Sequence, residues 1–373
     1  MGNRVPAEAA IAGIAPGPAQ MWFLNGLERE MMSRGYRFRR EFPERAPLVL
    51  NVIDAARPRP FHRQTYTTYV IAVAEADEPP QNVLGAAYPL LVRAIANLVI
   101  YVVPSVPRPR VYYVTPEQGC YEIPACDADE TFFARAFDEL VPLATSTLVI
   151  DNELIDDLPE SIRLGDPIPN QIRQAGERLD RMGLLPAPFP VEELLSPDDL
   201  RRVRLLYGIG GLSYGNVSAR SSLASGFWMT ATGVDKGRLG EAGRDILLVD
   251  GYEFERRRIR VRVSPKIRPR HASVDAIEHA MIYEEHSEIG AIVHVHSWID
   301  AVPATEINYP CGTYELARAV SDVIRSLPDP TRGIVGLKNH GVTITGPSLD
   351  DIFSRIDGKL LPRVPSLAMR VLH

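Results

Sequence analysis

Gly290-Ala-Ile-Val-His-Val-His-Ser297 is an apolar run that ends in two histidines two residues apart. In an extended strand, side chains at i and i+2 point to one face. His294 and His296 therefore share a face, with Val295 turned into the core behind them. A third histidine, His340, stands in Leu337-Lys-Asn-His-Gly341 after the apolar Gly333-Ile-Val-Gly-Leu337. That placement lets it approach the pair from a neighbouring strand. Three imidazoles around one divalent ion leave a coordination position open, the layout of a catalytic rather than a structural zinc site. The bland reading is three ordinary histidines in a packed sheet.

Composition bounds what surrounds this segment. The chain has 373 residues, 45% hydrophobic and 24% charged, with a net charge of −6. That length suggests two or three domains, and the charge offers no basic field for nucleic acid. The longest apolar stretch, 84–103, is broken by Arg93 and Asn97 and reads as a helix running into a strand, not as a membrane span. The cysteines Cys120, Cys126 and Cys311 are odd in number and form no C-x-x-C pair. A disulfide framework is not expected, and a reducing cytoplasm is the default location.

Residues 1–20, rich in Ala, Pro and Gly and weak as a signal peptide, read as a disordered tail. Residues 21–160 alternate strand-like and helix-like runs. Strands are expected at Leu48–Ile53, Thr65–Val73, Leu98–Val103 and Thr147–Ile150, with a hairpin from Arg110 to Ile123. Helices are expected at Ala86–Ala96 and Thr131–Leu140, the second ended by Pro142. This is a smaller α+β domain of unknown role. A helix from Asn170 to Met182 and the proline-rich Leu185-Pro-Ala-Pro-Phe-Pro190 make residues 161–195 a linker. Ser196-Pro-Asp-Asp199 starts the next helix, and the second domain runs from 196 to 373. It holds short strands at 227–230, 245–249 and 259–263, then a helix from Val274 to Glu285, the histidine strand, a helix from Tyr314 to Leu327, and the last histidine.

Several loops in this second half suit a ligand. Ser213-Tyr-Gly-Asn-Val-Ser218 has a glycine that frees the backbone, and Asn216 and Ser218 offer neutral donors. Thr230-Ala-Thr-Gly233 is a second such loop. Each alone is as readily an ordinary turn. In Ser273-Val-Asp-Ala-Ile-Glu-His279, Ser273 reads as N-cap and Asp275 lies in the first turn, on one face with His279. Asp275 is either a capping acid or the acid/base group beside a metal, with Glu278 as the second candidate. The basic run Arg256-Arg-Arg-Ile-Arg-Val-Arg262 would line a solvated strand face. Beyond it, Arg268, Arg270 or His271 could instead reach a pocket and grip an anion.

Taken in order, Gly215-Asn-Val-Ser218, Thr232-Gly233, Ser273-x-Asp275-x-x-x-His279-x-x-Ile-Tyr283, Val293-His-Val-His-Ser297, Gly312-Thr-x-Glu-Leu316 and Asn339-His-Gly341 resemble the class II aldolase/adducin family. That family includes L-fuculose-1-phosphate aldolase and L-ribulose-5-phosphate 4-epimerase. The resemblance covers residues from about 196 to 360. It implies an α/β fold, here a C-terminal three-layer α/β/α domain with a mainly antiparallel sheet. It implies a divalent metal on His294, His296 and His340, usually Zn2+, with Mn2+ or Fe2+ as alternatives. Asp275 falls at the acidic position, where it resembles the epimerase. Asn216, Thr232, Gly233 and Ser273 fall where the family grips a substrate phosphate. Two departures stand out. Val274 replaces a second serine, a loss that Arg270 could make good, and the segment between His296 and His340 leaves little room for the loop that carries a tyrosine acid.

The activity so implied is that of a metal-dependent lyase (aldolase) or epimerase acting on a small hydroxy-carbonyl, sugar-derived substrate through an enediolate. The expected assembly is a homo-oligomer, tetramers being common in the family, with no nucleic-acid or membrane partner. The alternatives are a non-catalytic, adducin-like assembly module and an iron-dependent oxygenase on the same scaffold, since three imidazoles do not fix the metal.

Overall fold

The computed structural model describes residues 8–39, 46–62, 68–116, 118–187, 189–206 and 213–361. The chain divides into two compact units. One is formed by residues up to Thr145 and by Phe189–Arg204, the other by Ser146–Pro188 and Leu205–Val364.

Unit 1 carries strands β1 (Glu8–Gly13), β2 (Arg37–Arg39), β3 (Leu48–Val52), β4 (Tyr69–Glu75), β5 (Leu98–Val103), β6 (Arg110–Thr115) and β7 (Gly119–Glu122). Its helices are α1 (Pro18–Ser33), α2 (Val83–Arg93) and α3 (Asp129–Thr145). The sheet runs β2-β1-β3-β4-β5-β6-β7. The first five strands are parallel and the last two antiparallel. Parallel strands covered on both faces read as continuous apolar runs, and β3 and β5 are buried along their whole length. The expectation of a disordered 1–20 does not hold for residues 8–20. Ala9 and Ala10 are buried in β1, between β2 and β3, and Pro18 opens α1. The alanine-rich segment has little hydrophobic signal of its own; the neighbouring strands supply its burial. Helix α3 also continues through Pro142. The carbonyl that loses its donor there belongs to exposed Asp138. Part of the expected strand at 65–73 lies outside the described residues.

The boundary between the units falls at 145/146 rather than at 160. The expected strand at 147–150 contributes only a bridge from Leu148 to Thr313. The strand there is β8 (Asp151–Ile155), followed by α4 (Glu160–Gly165) and α5 (Ile168–Arg181). Helix α5, expected in a linker, buries Ile172, Ala175 and Leu179 in the core of unit 2. The short α6 (Val191–Leu194) and α7 (Pro197–Leu206) follow. In this returning segment of unit 1, Phe189 packs edge-on against Tyr88, and Asp199 pairs with Arg93 at 2.8 Å.

The rest of unit 2 comprises β9 (Asn216–Arg220), β10 (Phe227–Thr230), β11 (Ile246–Glu253), β12 (Arg258–Arg262), α8 (Ala276–Glu285), β13 (Ala291–Val295), α9 (Tyr314–Ser326), β14 (Ile334–Leu337), β15 (Gly341–Gly346) and α10 (Leu349–Ile356). The sheet order is β14-β15-β13-β9-β10-β11-β12-β8. Every pairing is antiparallel except the last, β12 with β8, so the sheet is mixed. Helices α5 and α10 pack on strands β9, β10, β13 and β15, while α8 packs on β11 and against α9. The histidine strand β13 lies between β9 and β15, and the chain on both sides presses close. A Cβ on Gly215 would collide with the His294 carbonyl oxygen, and one on Gly341 with that of Val295. Gly215 also has φ +73°, a conformation that favours glycine. Arg258, Arg260 and Arg262 on β12 each face an acid, Glu153, Asp250 and Asp157, as a solvated face would.

Candidate metal centre

Strand register builds the site. His294 lies opposite Asn216 of β9 and Thr343 of β15, so the three side chains form one row on one face. Ser218, Ile292 and Thr345 form the next row. Helix α8 brings Glu278, His279 and Tyr283 to this polar layer. Asp275 is the N-cap of α8 rather than a first-turn residue. Ser273 lies before the helix, its hydroxyl accepting from the Asp275 N–H at 3.4 Å.

His294, His296 and His340 are buried, and their ligand atoms all lie within 4.8 Å of one another. The Nε2 atoms of His296 and His340 are 3.0 Å apart. Two nitrogens on one tetrahedral zinc, each about 2.0–2.1 Å from the ion, would be about 3.3 Å apart. His294 Nε2 has no hydrogen-bond partner although it is buried. Its other nitrogen, Nδ1, lies 3.2 Å from the Thr343 hydroxyl, which itself donates to Glu278 Oε1 at 2.6 Å. His294 also hydrogen-bonds to the backbone of Val342, whose carbonyl can only accept, and with Nε2 unpartnered the donor is Nδ1; the imidazole proton therefore sits on Nδ1 and the Nε2 lone pair is bare. Burial drives His294 down to about 4 and His340 to about 3, and holds His296 well below its ordinary value. Neutral imidazoles are what metal ligation requires.

Asp275 is buried too. Its Oδ2 accepts from Asn216 Nδ2 at 2.7 Å, and its Oδ1 has no partner. Burial raises its pKa, with the charge of His340 opposing. Burial, then the charge of Asp275, pushes Glu278 up to about 8. Ser218 is occupied by His279 Nδ1 at 2.7 Å and the Tyr283 hydroxyl at 2.9 Å. Asn216 also donates to Ser273 at 3.3 Å. Thr232 and Gly233 are exposed, and the Thr232 N–H is bound to the His271 carbonyl. Arg270 is exposed and pairs with Asp245 at 3.0 Å and with the Gly233 carbonyl at 3.3 Å. The structure thus gathers Asn216, Asp275, Glu278 and the three histidines, whereas Arg270 is committed to Asp245.

Three further residues belong to this cluster, and sequence reasoning missed them. Thr343 sits in Gly341-Val-Thr-Ile-Thr-Gly346, whose alternation reads as a half-exposed strand but is buried throughout. The Cys311 thiol lies 3.1 Å from His340 Nε2 and hydrogen-bonds to Asp275. Lys236 is buried, its ammonium donating to the Ser213 carbonyl at 2.6 Å. A lysine in Val234-Asp-Lys-Gly-Arg238 reads as a surface charge. The one available signal is its place just after the ligand-suited loop that ends at Gly233.

Residues 201–305 match the Class II Aldolase and Adducin N-terminal domain. The matched segment holds Asn216, Asp275, Glu278, His294 and His296; His340 lies beyond it. Among solved structures, the chain is similar to YgbL of Klebsiella pneumoniae, a candidate aldolase/epimerase/decarboxylase. That likeness has 19% identity and a TM-score of 0.33, and it covers 51% of this chain and 83% of YgbL. No curated protein matches the chain. Among the described residues, no helix is long and apolar enough to cross a membrane.

Proposed function

We propose that unit 2 is a metal-dependent lyase (aldolase) or epimerase acting on a small, sugar-derived hydroxy-carbonyl compound. The observation that carries this reading is the convergence of three buried imidazoles, one of them presenting a bare, unpartnered nitrogen. The donor set fits a zinc ion: three neutral nitrogens, one fixed in its tautomer by the Val342 backbone with Thr343 and Glu278. A divalent ion held there would polarise the substrate carbonyl and stabilise the negative charge of an enediolate.

The protein's own groups handle the proton. Asp275 is anchored through one carboxylate oxygen by Asn216, which leaves the other oxygen, Oδ1, free to accept or return it. Burial raises the pKa of Asp275, with His340, Asn216, Lys236 and Cys311 opposing. The Thr343–Glu278 pair holds His294 in orientation. Asp275 is the proposed acid/base group, and Glu278, held by Thr343 through Oε1 with Oε2 unpartnered, is the second candidate. The matched aldolase/adducin segment agrees with this class of activity. A homo-oligomer, in the tetrameric form common in the family, is the proposed assembly, with light scattering as its check.

Metal analysis of the purified protein tests the central reading. We expect about one zinc or manganese per chain, lost in His294→Ala and His340→Ala. Iron in its place would favour oxidative chemistry on the same scaffold. A protein that takes up no metal would leave an adducin-like assembly role.

A further inference from the structure

Among the described residues, unit 2 buries an ammonium that forms no direct ion pair: burial pulls Lys236 down to about 8, and the charges of Asp275 and Asp235 offset only part of that. Lys236 has only 5% of its surface exposed. Its ammonium gives one hydrogen bond, to the Ser213 carbonyl, and among the described residues no carboxylate oxygen lies within 4.0 Å of it. Its backbone is fixed as well, the N–H donating to the Ser213 hydroxyl at 3.0 Å. Helix α5 backs it, where Gly176 leaves no room for a side chain against the Lys236 carbonyl. The Ser213 carbonyl that holds the ammonium directly precedes Tyr214, whose ring centroid lies 5.1 Å from that of His296, and Gly215, whose backbone presses on the His294 carbonyl, so the ammonium sits beside the histidine cluster. Burying an ammonium is costly unless an anion meets it.

The groups suited to a phosphate are either engaged within the protein, as Ser273 is by Asn216 and the Asp275 N–H, or exposed. Arg270 is paired with Asp245, Val274 stands exposed, and Thr232 and Gly233 lie at the surface. Asn216 and Ser218 direct their hydrogen bonds inside the protein. What remains is a single positive charge close to the proposed metal, a match for a monoanion attached near the hydroxy-carbonyl pair.

We propose that Lys236 binds a carboxylate on the substrate, so that the site takes hydroxy-keto acids rather than uncharged hydroxy-ketones. This rests on the metal-site reading above. The test compares two probes with the same hydroxy-carbonyl pair, hydroxypyruvate and hydroxyacetone, by calorimetric titration of the zinc-loaded full chain. Wild-type protein is expected to bind hydroxypyruvate at least roughly tenfold more tightly. Lys236→Gln and Lys236→Met are expected to lose that preference while keeping their zinc and their affinity for hydroxyacetone.

Equal binding of both probes by zinc-loaded wild type overturns the carboxylate assignment and leaves the metal reading standing. So does a Lys236-dependent preference that appears only with hydroxyacetone phosphate. Variants that lose zinc and both probes together would show Lys236 to be structural, which also overturns it. Wild-type protein that takes up no zinc overturns the metal reading, and this inference with it.

Discussion

The two sheets bury their polar groups in opposite ways. In unit 1 a buried polar side chain completes the hydrogen bonds of backbone around it. Gln20 donates to the carbonyls of Ile53 and Val73, and Asn51 to that of Arg59. The central strands β3 and β5 are otherwise apolar except for Asn51 and Tyr101. In unit 2 the layer between β9, β13, β15 and α8 buries Asn216, Ser218, Asp275, Glu278, His279, His294 and Thr343 together. Several atoms at this centre have no partner: His294 Nε2, His296 Nδ1, His279 Nε2, Asp275 Oδ1 and Glu278 Oε2. An unsatisfied buried polar atom costs about 1–3 kcal/mol. Unit 1 uses its buried polar groups for stability. Unit 2 gives up stability to hold bare lone pairs, and that is the expected mark of a reactive site.

Acid should separate the two units most widely in metal-free protein. The imidazoles of His294 and His340 have folded-state values of about 4 and about 3, below the ordinary 6.5, because burial disfavours their charge. The unfolded chain therefore binds more protons below pH 6.5, and folding loses about 1.4 kcal/mol per pH unit per imidazole as pH falls toward those values. Glu278, raised to about 8, works the other way: it stabilises at low pH, and that contribution fades as pH rises from 4.5 to about 8. His279 and His296 add to the imidazole side. The net expectation is weaker hydrogen-exchange protection in β13 and β15 as pH falls from about 6.5 to about 5, with β3 and β5 holding theirs. Equal loss in both sheets would remove the contrast.

The next effect in size is chemical. Asp275→Asn keeps the hydrogen bond to Asn216 within reach but removes the group that takes the proton. Turnover of a hydroxy-carbonyl substrate should fall by roughly 10²–10⁴-fold, with zinc content unchanged. Wild-type turnover in the variant would reduce Asp275 to a helix cap and make the polar layer of unit 2 structural, like that of unit 1.

How much of this is readable in advance follows the same division. The His-Val-His strand, the third histidine and Asp275 carry their signal in residue type and spacing, and they lie together in the fold. What spacing does not convey is register. Thr343 looks like any alternating strand threonine until β15 pairs with β13 and sets it opposite His294. Lys236 and Arg270 show the same limit for charge. Pattern alone favours the arginine, yet Asp245, distant in sequence, captures it, while the lysine is drawn inward by Ser213. In unit 1, β1 is not legible because Glu8-Ala-Ala-Ile-Ala-Gly13 owes its burial to long-range parallel pairing with Leu48–Val52. Local propensity has no access to such a contact.

Thr343 offers the finest cut between the two kinds of buried polar group. Thr343→Val keeps the side chain's shape and removes only the hydroxyl that links Glu278 to His294. If the hydroxyl were there for stability, as Gln20 is in unit 1, its loss would lower the melting temperature and leave zinc binding alone. If it helps fix the tautomer of His294, the proton on Nδ1 is held by the Val342 backbone alone, and the Nε2 lone pair is bare for less of the time. Zinc affinity should then fall by roughly 10–100-fold, the range for loss of a hydrogen-bond partner behind a metal-bound histidine. A competition titration against a chelator of known affinity reads this directly. A second variant, Glu278→Gln, separates the two halves of the relay. It retains an acceptor for the Thr343 hydroxyl through its amide oxygen and should weaken zinc binding less than Thr343→Val does. The reverse order would mean that the charge of Glu278, rather than the direction of the hydroxyl proton, is what the ligand feels.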